Sequence, residues 1–229
     1  MTDQTAPLLW RETDAGRVPV SEQFDDPYYS LNGGLDETRH VFVNGNTLPD
    51  RWEQDLQIAE LGFGTGLNLL VTWADWRKAA HGTLHFTSFE AFPMDKEDMA
   101  AALAAFPALA DLATILLARW TAGAGVVTLA EGISLEVIIG DARDTLPAWA
   151  GKADAWYLDG FSPAKNPQLW EPALLQAVAD HTVPNGTAAT YSAAGHVRQS
   201  LTQAGFEVAR VKGFGTKRHM TVAQKPDAQ

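Results

Sequence analysis

Apolar and polar positions change period along the chain, and the changes mark its elements. Residues 57–61 form an apolar run that ends in glycines, the pattern of a strand. From 67 to 80 the period becomes helical, with Leu67, Leu70, Val71 and Ala74 on one face. Residues 83–90 read as a second strand. Asp95 is placed to cap a helix reaching about 106, with acids in its first turn, and another helix ends near 120. Residues 126–130 and 133–139 flank Glu131-Gly132, the signature of a hairpin with a two-residue turn. Residues 153–158 are a strand closed by Asp159, 169–180 a helix, and 186–191 a strand. Ser192 is the expected cap of a helix over 193–203, and short strands follow at 206–210 and 219–222. Residues 21–46 carry turn chemistry instead: Asp25-Asp26-Pro27, Asn32-Gly33-Gly34 and Asn44-Gly45-Asn46. Strands alternating with helices predict an α/β fold, a mostly parallel sheet covered on both faces. Residues 1–50 are expected to be an N-terminal extension and 51–229 a single compact unit.

Composition narrows the class. A chain of 229 residues, 46% hydrophobic, has enough apolar surface for one sizeable core. With no cysteine, neither a disulfide framework nor a thiolate zinc site is available, and no metal site is expected. The first twenty residues have no long apolar run, so no secretory leader is expected, and no stretch approaches the roughly 20 apolar residues of a membrane span. A cytoplasmic location is the resulting expectation. The net charge of −11 argues against nucleic acid as a partner, but the charge is uneven. Residues 1–60 hold twelve acids against four arginines, whereas 196–218 hold Arg198, Arg210, Lys212, Lys217 and Arg218 against Glu207 alone. That leaves either a local basic face or a merely solvated surface.

Glu60-Leu61-Gly62-Phe63-Gly64-Thr65-Gly66 lies where the first strand of the sheet turns into a helix. In open α/β sheets ligands bind beyond the carboxyl ends of strands, and glycines there let a ligand approach the backbone. The dinucleotide fingerprint needs another small residue where Leu67 stands, which weakens a pyrophosphate reading. Glu90, at the next strand tip, has the placement of a carboxylate that accepts from ribose hydroxyls. Asp141, after Gly140, has that of an acceptor for the adenine amine. Three acidic strand tips around one crevice suit a cationic sulfonium better than a pyrophosphate. The third belongs to Asp159-Gly160-Phe161-Ser162-Pro163-Ala164-Lys165-Asn166-Pro167, where the transferring group would sit. There Asp159 would hold an amine by its N–H, Phe161 would stack on a base or shape the pocket, and the prolines would stiffen the loop.

These stretches together resemble the methyltransferase domain of the bifunctional tRNA 5-methylaminomethyl-2-thiouridine biosynthesis proteins (MnmC) and their stand-alone relatives. The likeness runs from about 24 to about 222. It includes Phe24-Asp25-Asp26-Pro27-Tyr28-Tyr29-Ser30, Glu37-Thr38-Arg39-His40-Val41-Phe42, Gly45-Asn46, the glycine loop through Asn68, Phe89-Glu90, Gly140-Asp141, the segment from Leu158 to Pro167 with Trp170, and Gly213-Phe214-Gly215-Thr216-Lys217-Arg218-His219-Met220. The resemblance implies a Rossmann-like class I fold with a seven-stranded sheet and S-adenosyl-L-methionine as cofactor. It implies methylation of 5-aminomethyl-(2-thio)uridine at the wobble position of tRNA, the tRNA (5-methylaminomethyl-2-thiouridylate)-methyltransferase reaction. By the same analogy Asp159 and Phe161 act on the amine. Glu60, Gly62, Gly64, Gly66, Asn68, Glu90 and Asp141 hold the cofactor, under an N-terminal segment that includes Tyr28, Tyr29, Arg39 and Asn46. Lys165, Lys217 and Arg218 face the tRNA. Well-known members carry a second, FAD-dependent oxidase domain, so a separate oxidase is an implied partner of a stand-alone form. The residues alone leave three other readings open: a different amine acceptor, a nicotinamide-dependent oxidoreductase, or a binding module without chemistry.

Overall fold

A computed structural model describes residues 8–13, 16–30, 33–79 and 82–227. Asn32, one of the expected turn residues, and residue 80 of the expected helix lie outside them. The chain begins with β1 (Leu8–Thr13), β2 (Gly16–Ser21) and the two-residue β3 (Asp26–Pro27), an antiparallel sheet of three. Next come α1 (Gly34–Thr38), a π-helical turn (Arg39–Asn44), and the strand–helix alternation of β4 (Leu56–Leu61), α2 (Leu67–Ala79), β5 (Leu84–Glu90), α3 (Lys96–Leu103) and α4 (Ala110–Arg119). The second half holds β6 (Val126–Ala130), β7 (Ile133–Ile139), α5 (Ala142–Ala148), β8 (Ala153–Leu158), α6 (Pro172–Asp180), β9 (Thr182–Thr190), α7 (Gly195–Gln203), β10 (Glu207–Lys212) and β11 (His219–Gln224).

The main sheet has the order β10-β11-β9-β8-β4-β5-β7-β6. The pairs β4–β5, β4–β8, β5–β7 and β8–β9 are parallel, while β6, β11 and β10 add antiparallel edges. The expected α/β architecture is therefore present, but the sheet has eight strands, not seven. The eighth, β6, is the outer arm of the Glu131-Gly132 hairpin, long enough to complete a ladder with β7.

Alternate side chains of the central strands go to opposite faces, as strand geometry requires. Ile58, Phe86 and Tyr157 pack with Leu70 of α2, Met99 of α3 and Leu116 of α4. Ala59, Trp156 and Leu158 pack with Leu146 of α5, Leu175 of α6 and Val197 of α7. Both faces of the central strands are buried, which is why they read as continuous apolar runs.

The N-terminal segment departs most from its pattern. β1 and β2 pair antiparallel, which turn and apolar signals did not reveal. Val18 and Val20 are buried, and Trp10 Nε1 donates to Asp98 of α3 at 3.3 Å. Within 21–46, read as irregular, 34–44 are helical. Val41, Phe42 and Val43 join the core beside Leu48, and this burial overrides the turn signals. Gly45 is required here by contact. A Cβ would lie 2.0 Å from the Val41 carbonyl and 3.0 Å from Ala189 and Met220. Smaller corrections concern helix starts. Residues 167–170 are a separate 3-10 turn before α6. α7 begins at Gly195, with Ser192 Oγ accepting from Ala194 N at 3.3 Å rather than capping the helix itself. Asp95 does cap α3, accepting from Asp98 N at 2.8 Å. No single described helix is long and apolar enough to cross a membrane.

Candidate active site

The carboxyl ends of the parallel strands open into one cavity of about 690 Å³. This size lies within the range of small-molecule sites. Its floor is built from residues at or just beyond the ends of β4, β5, β7, β8 and β9: Gly62 and Gly64, Glu90, Asp141, Asp159, and Tyr191. The other wall is the N-terminal segment, from Ser21 through Tyr29 to Thr38.

Gly62 holds the loop after β4 close to the loop after β8. Its φ is +89°, and a Cβ would stand 2.6 Å from the Asp159 carbonyl, so a side chain is excluded by both conformation and space. Glu90 then fixes the loop from the side. Its carboxylate accepts from Gly64 N at 3.0 Å and from Phe92 N at 2.7 Å. Burial raises its pKa, against these backbone donors, which favour the charged form.

Asp159 lines the cavity, and Asn68 Nδ2 donates to its Oδ2 at 2.6 Å. Burial pushes its carboxyl up to about 7; the Asn68 bond opposes this, the nearby Glu37 adds to it, and Lys217 counters it. Asn68 also donates to Glu60 at 2.8 Å, and Thr38 Oγ1 donates to Asn68 Oδ1 at 3.0 Å. Glu60 is fully buried, takes a second bond from Ser88 at 2.8 Å, and has its pKa raised well above the usual range by burial.

Phe161 sits in an aromatic cluster. Its ring stacks on Phe24 with centroids 4.9 Å apart and meets Tyr28 edge-on at 5.1 Å. Asp26 accepts from Ser162 N at 2.8 Å, and Lys165 Nζ bonds to the Asp25 carbonyl. The N-terminal segment is thereby latched to the loop that carries Asp159.

The sequence-nominated residues do not all reach this cavity. Gly62, Gly64, Asn68, Glu90, Asp141, Asp159, Phe161, Tyr28, Tyr29 and Lys217 line it. Gly66 does not; it packs behind the loop against Leu116 and Phe63. Arg39 forms a two-point ion pair with Asp75 of α2 at 2.6 and 3.2 Å, which clamps the start of the π-helical turn to α2. With Asp75 largely buried, such a fork exceeds the ~0–1 kcal/mol of an exposed pair. Asn46 is fully buried, and its Nδ2 donates to the carbonyls of Phe42 and Trp156, so it ties the π-helical turn to β8. Asp141 lines the cavity, yet its carboxylate is held by the Arg143 guanidinium at 2.6 Å and by Arg143 N at 2.9 Å. Lys165 is spent on the latch, and Arg218 is exposed outside the cavity lining. Lys217 pairs with Glu37 at 2.6 Å and lies over the Tyr191 ring at 4.9 Å. Phe24, Asp26, Glu37, Thr38 and Tyr191 line the site without having been assigned roles. Only the strand-tip position of Tyr191 was a signal open to sequence reading.

A sequence profile described as S-adenosyl-L-methionine-dependent methyltransferase matches residues 107–226, just over half of the chain. The chain belongs to this family of S-adenosyl-L-methionine-dependent methyltransferases. Among curated relatives of this methyltransferase, the tRNA 5-methylaminomethyl-2-thiouridine biosynthesis bifunctional protein MnmC of Ralstonia nicotianae is 46% identical over 217 residues, which cover 91% of this chain and 33% of the relative. The protein of the same name from Vibrio campbellii is 43% identical, covering 95% and 35%. The methyltransferase thus spans about a third of the length of these relatives. Among solved structures, MNMC2 from Aquifex aeolicus superposes with a TM-score of 0.79 at 26% identity, covering 98% of this chain and 73% of that one.

The cavity fits the family's cofactor. Of the acids in its lining, Asp26, Glu37 and Asp141 pair with Lys165, Lys217 and Arg143, while Glu90 and Asp159 have no ion-pair partner among the described residues, a residual acidity suited to a cationic sulfonium. Gly62 and Gly64 line the cavity at φ +89° and +52°, so the loop presents bare backbone there.

Proposed function

We propose that this methyltransferase transfers a methyl group to the exocyclic amine of 5-aminomethyl-(2-thio)uridine at the wobble position of tRNA. The observation that carries the reading is Asp159, a cavity carboxylate poised near neutrality beside the glycine loop. The names of the MnmC relatives supply the acceptor. Glu90 would accept from the ribose hydroxyls, and the loop at Gly62 and Gly64 would hold the methionine portion. Asp141, already engaged by Arg143, would offer the adenine its backbone more readily than its carboxylate.

When bound, S-adenosyl-L-methionine supplies an electrophilic methyl on sulfur. The acceptor would arrive as an ammonium ion; Asp159 would take its proton, release it to solvent and, again as the carboxylate, accept a remaining N–H, so that the nitrogen lone pair is free and aligned toward the methyl, the cofactor's neutral thioether being the leaving group. Phe161, backed by Phe24 and Tyr28, presents an aromatic wall on which the uracil would stack. A FAD-dependent oxidase acting on the precursor would supply the amine.

The test is labelled-methyl transfer to tRNA bearing 5-aminomethyluridine, with total small amines and bulk protein as competing acceptors. Label entering the tRNA is the expected result; label entering only another pool overturns the acceptor. Calorimetry with NAD in place of S-adenosyl-L-methionine is expected to show no binding.

The basic C-terminal loop gives a second check. Lys217 is already neutralised by Glu37, whereas Arg218 has no ion-pair partner among the described residues. Replacing both with alanine is therefore expected to reduce the slope of log affinity against log salt by about one phosphate contact, not two. An unchanged slope removes the loop from the tRNA interface.

A further inference from the structure

Asn68 and Glu60 belong to the glycine-loop motif, where the cofactor is their expected partner. Their hydrogen bonds point elsewhere. The Asn68 amide has two N–H donors, and both are committed to carboxylates: Glu60 Oε1 at 2.8 Å and Asp159 Oδ2 at 2.6 Å. Two acids on one side fix which end of the amide faces them, since the carbonyl end would be repelled. Asn68 Oδ1 consequently faces Thr38, whose hydroxyl donates at 3.0 Å. Glu60 is anchored in turn by Ser88 at 2.8 Å and is fully buried. No side-chain donor on Asn68 remains for a cofactor.

We infer that Asn68, clamped between Thr38 and Glu60, is a positioning residue that sets the orientation and charge state of Asp159 and does not hold the cofactor. The inference deepens the proposed reaction and rests on Asp159 being the group that meets the amine. With Oδ2 occupied by Asn68, Asp159 keeps its other oxygen for the acceptor, in one rotamer. Among the described residues, the other charged and titratable groups around Asp159 are Glu37 from α1, Lys217 from the β10–β11 loop, Tyr191 after β9 and Asp26, which bonds Ser162 N; Glu60 lies behind the Asn68 amide, and Glu90 lines the same cavity at the glycine loop. The Asn68 bond favours the charged carboxylate, so losing it raises the pH at which Asp159 ionises.

The experiment follows Asp159 directly, by carboxyl carbon NMR of the full chain labelled at aspartate, its signal identified by its absence in Asp159→Asn. Asn68→Ala is expected to raise the Asp159 titration by about one pH unit, a tenfold change in proton affinity. The pH midpoint of methyl transfer should move the same way, while affinity for S-adenosyl-L-methionine changes less than about threefold. Thr38→Val should give a smaller shift of the same sign, and Thr38→Ser should restore the wild-type titration, which a merely structural role would not require. An unmoved titration in Asn68→Ala and Thr38→Val overturns the inference, as does a tenfold loss of cofactor affinity without a titration shift. Should Asn68→Ala fail to fold by circular dichroism, the two Thr38 variants decide. Wild-type enzyme that leaves the tRNA unlabelled sinks the acceptor reading alone, because the NMR titration needs no acceptor.

Discussion

Asp159→Ala is expected to lower methyl transfer by about 10²- to 10⁴-fold, the span of a positioned proton acceptor, while cofactor affinity stays within about threefold. The separation follows from the two sides of the cavity: Glu90 and the glycine loop act on one, Asp159 with its aromatic neighbours on the other. Single-turnover transfer and calorimetry on the same variant check it. Loss of both together would make Asp159 a cofactor or folding residue and end the proposed mechanism. The pH profile carries the same claim. Burial raises this carboxyl from its ordinary value to about 7, and the reaction needs the charged form. Transfer in wild-type enzyme should therefore rise as pH increases through about 7 and level off above it. Folding feels the opposite sign. The folded state binds the extra proton from about pH 4 to about pH 7, so this group's contribution to stability falls as pH rises through that window. A poised base here is held at a cost in stability, in keeping with a site selected for chemistry.

The central sheet was legible because its strands are buried on both faces and its helices on one, two patterns that differ in period. The Asp95 cap and the Glu131-Gly132 hairpin were legible for the same local reason: short-range chemistry decides them. What escaped was nonlocal. The β1–β2 pair gains its stability by resting on α3, through contacts such as Trp10–Asp98, 88 positions apart in the chain. Arg39 looked available for a ligand until Asp75, 36 positions away, claimed its guanidinium. Asn46 likewise serves the backbone of β8. The acids at the strand tips were found because a fold of this kind brings strand ends together whatever their separation. Their partners Thr38 and Glu37 were not, because a polar residue's destination across the cavity leaves no local trace; only Tyr191 offered one, its place at a strand tip.

Glu90→Gln is expected to weaken S-adenosyl-L-methionine binding by about 100-fold and to lower the melting temperature, with transfer at saturating cofactor largely kept. The carboxylate is surrounded by donors: Gly64 N and Phe92 N on the protein side, and, in the proposed complex, two ribose hydroxyls on the other. An amide has the same shape but turns one acceptor oxygen into an N–H pair. Each oxygen accepts one of the two backbone N–H groups, so whichever way the amide lies its N–H pair faces a backbone donor, one charge-assisted bond is lost there, and a single acceptor oxygen is left for the ribose. Losing one such bond and weakening a second costs about 3 kcal/mol, which corresponds to the hundredfold. The Glu60→Gln exchange, one strand away, is the control. Its carboxylate faces Asn68 and Ser88 rather than the cavity, so cofactor affinity should hold there even if transfer changes. Equal losses in the two variants would mean that the glycine loop responds to any lost buried charge, and that Glu90 has no particular hold on the ribose.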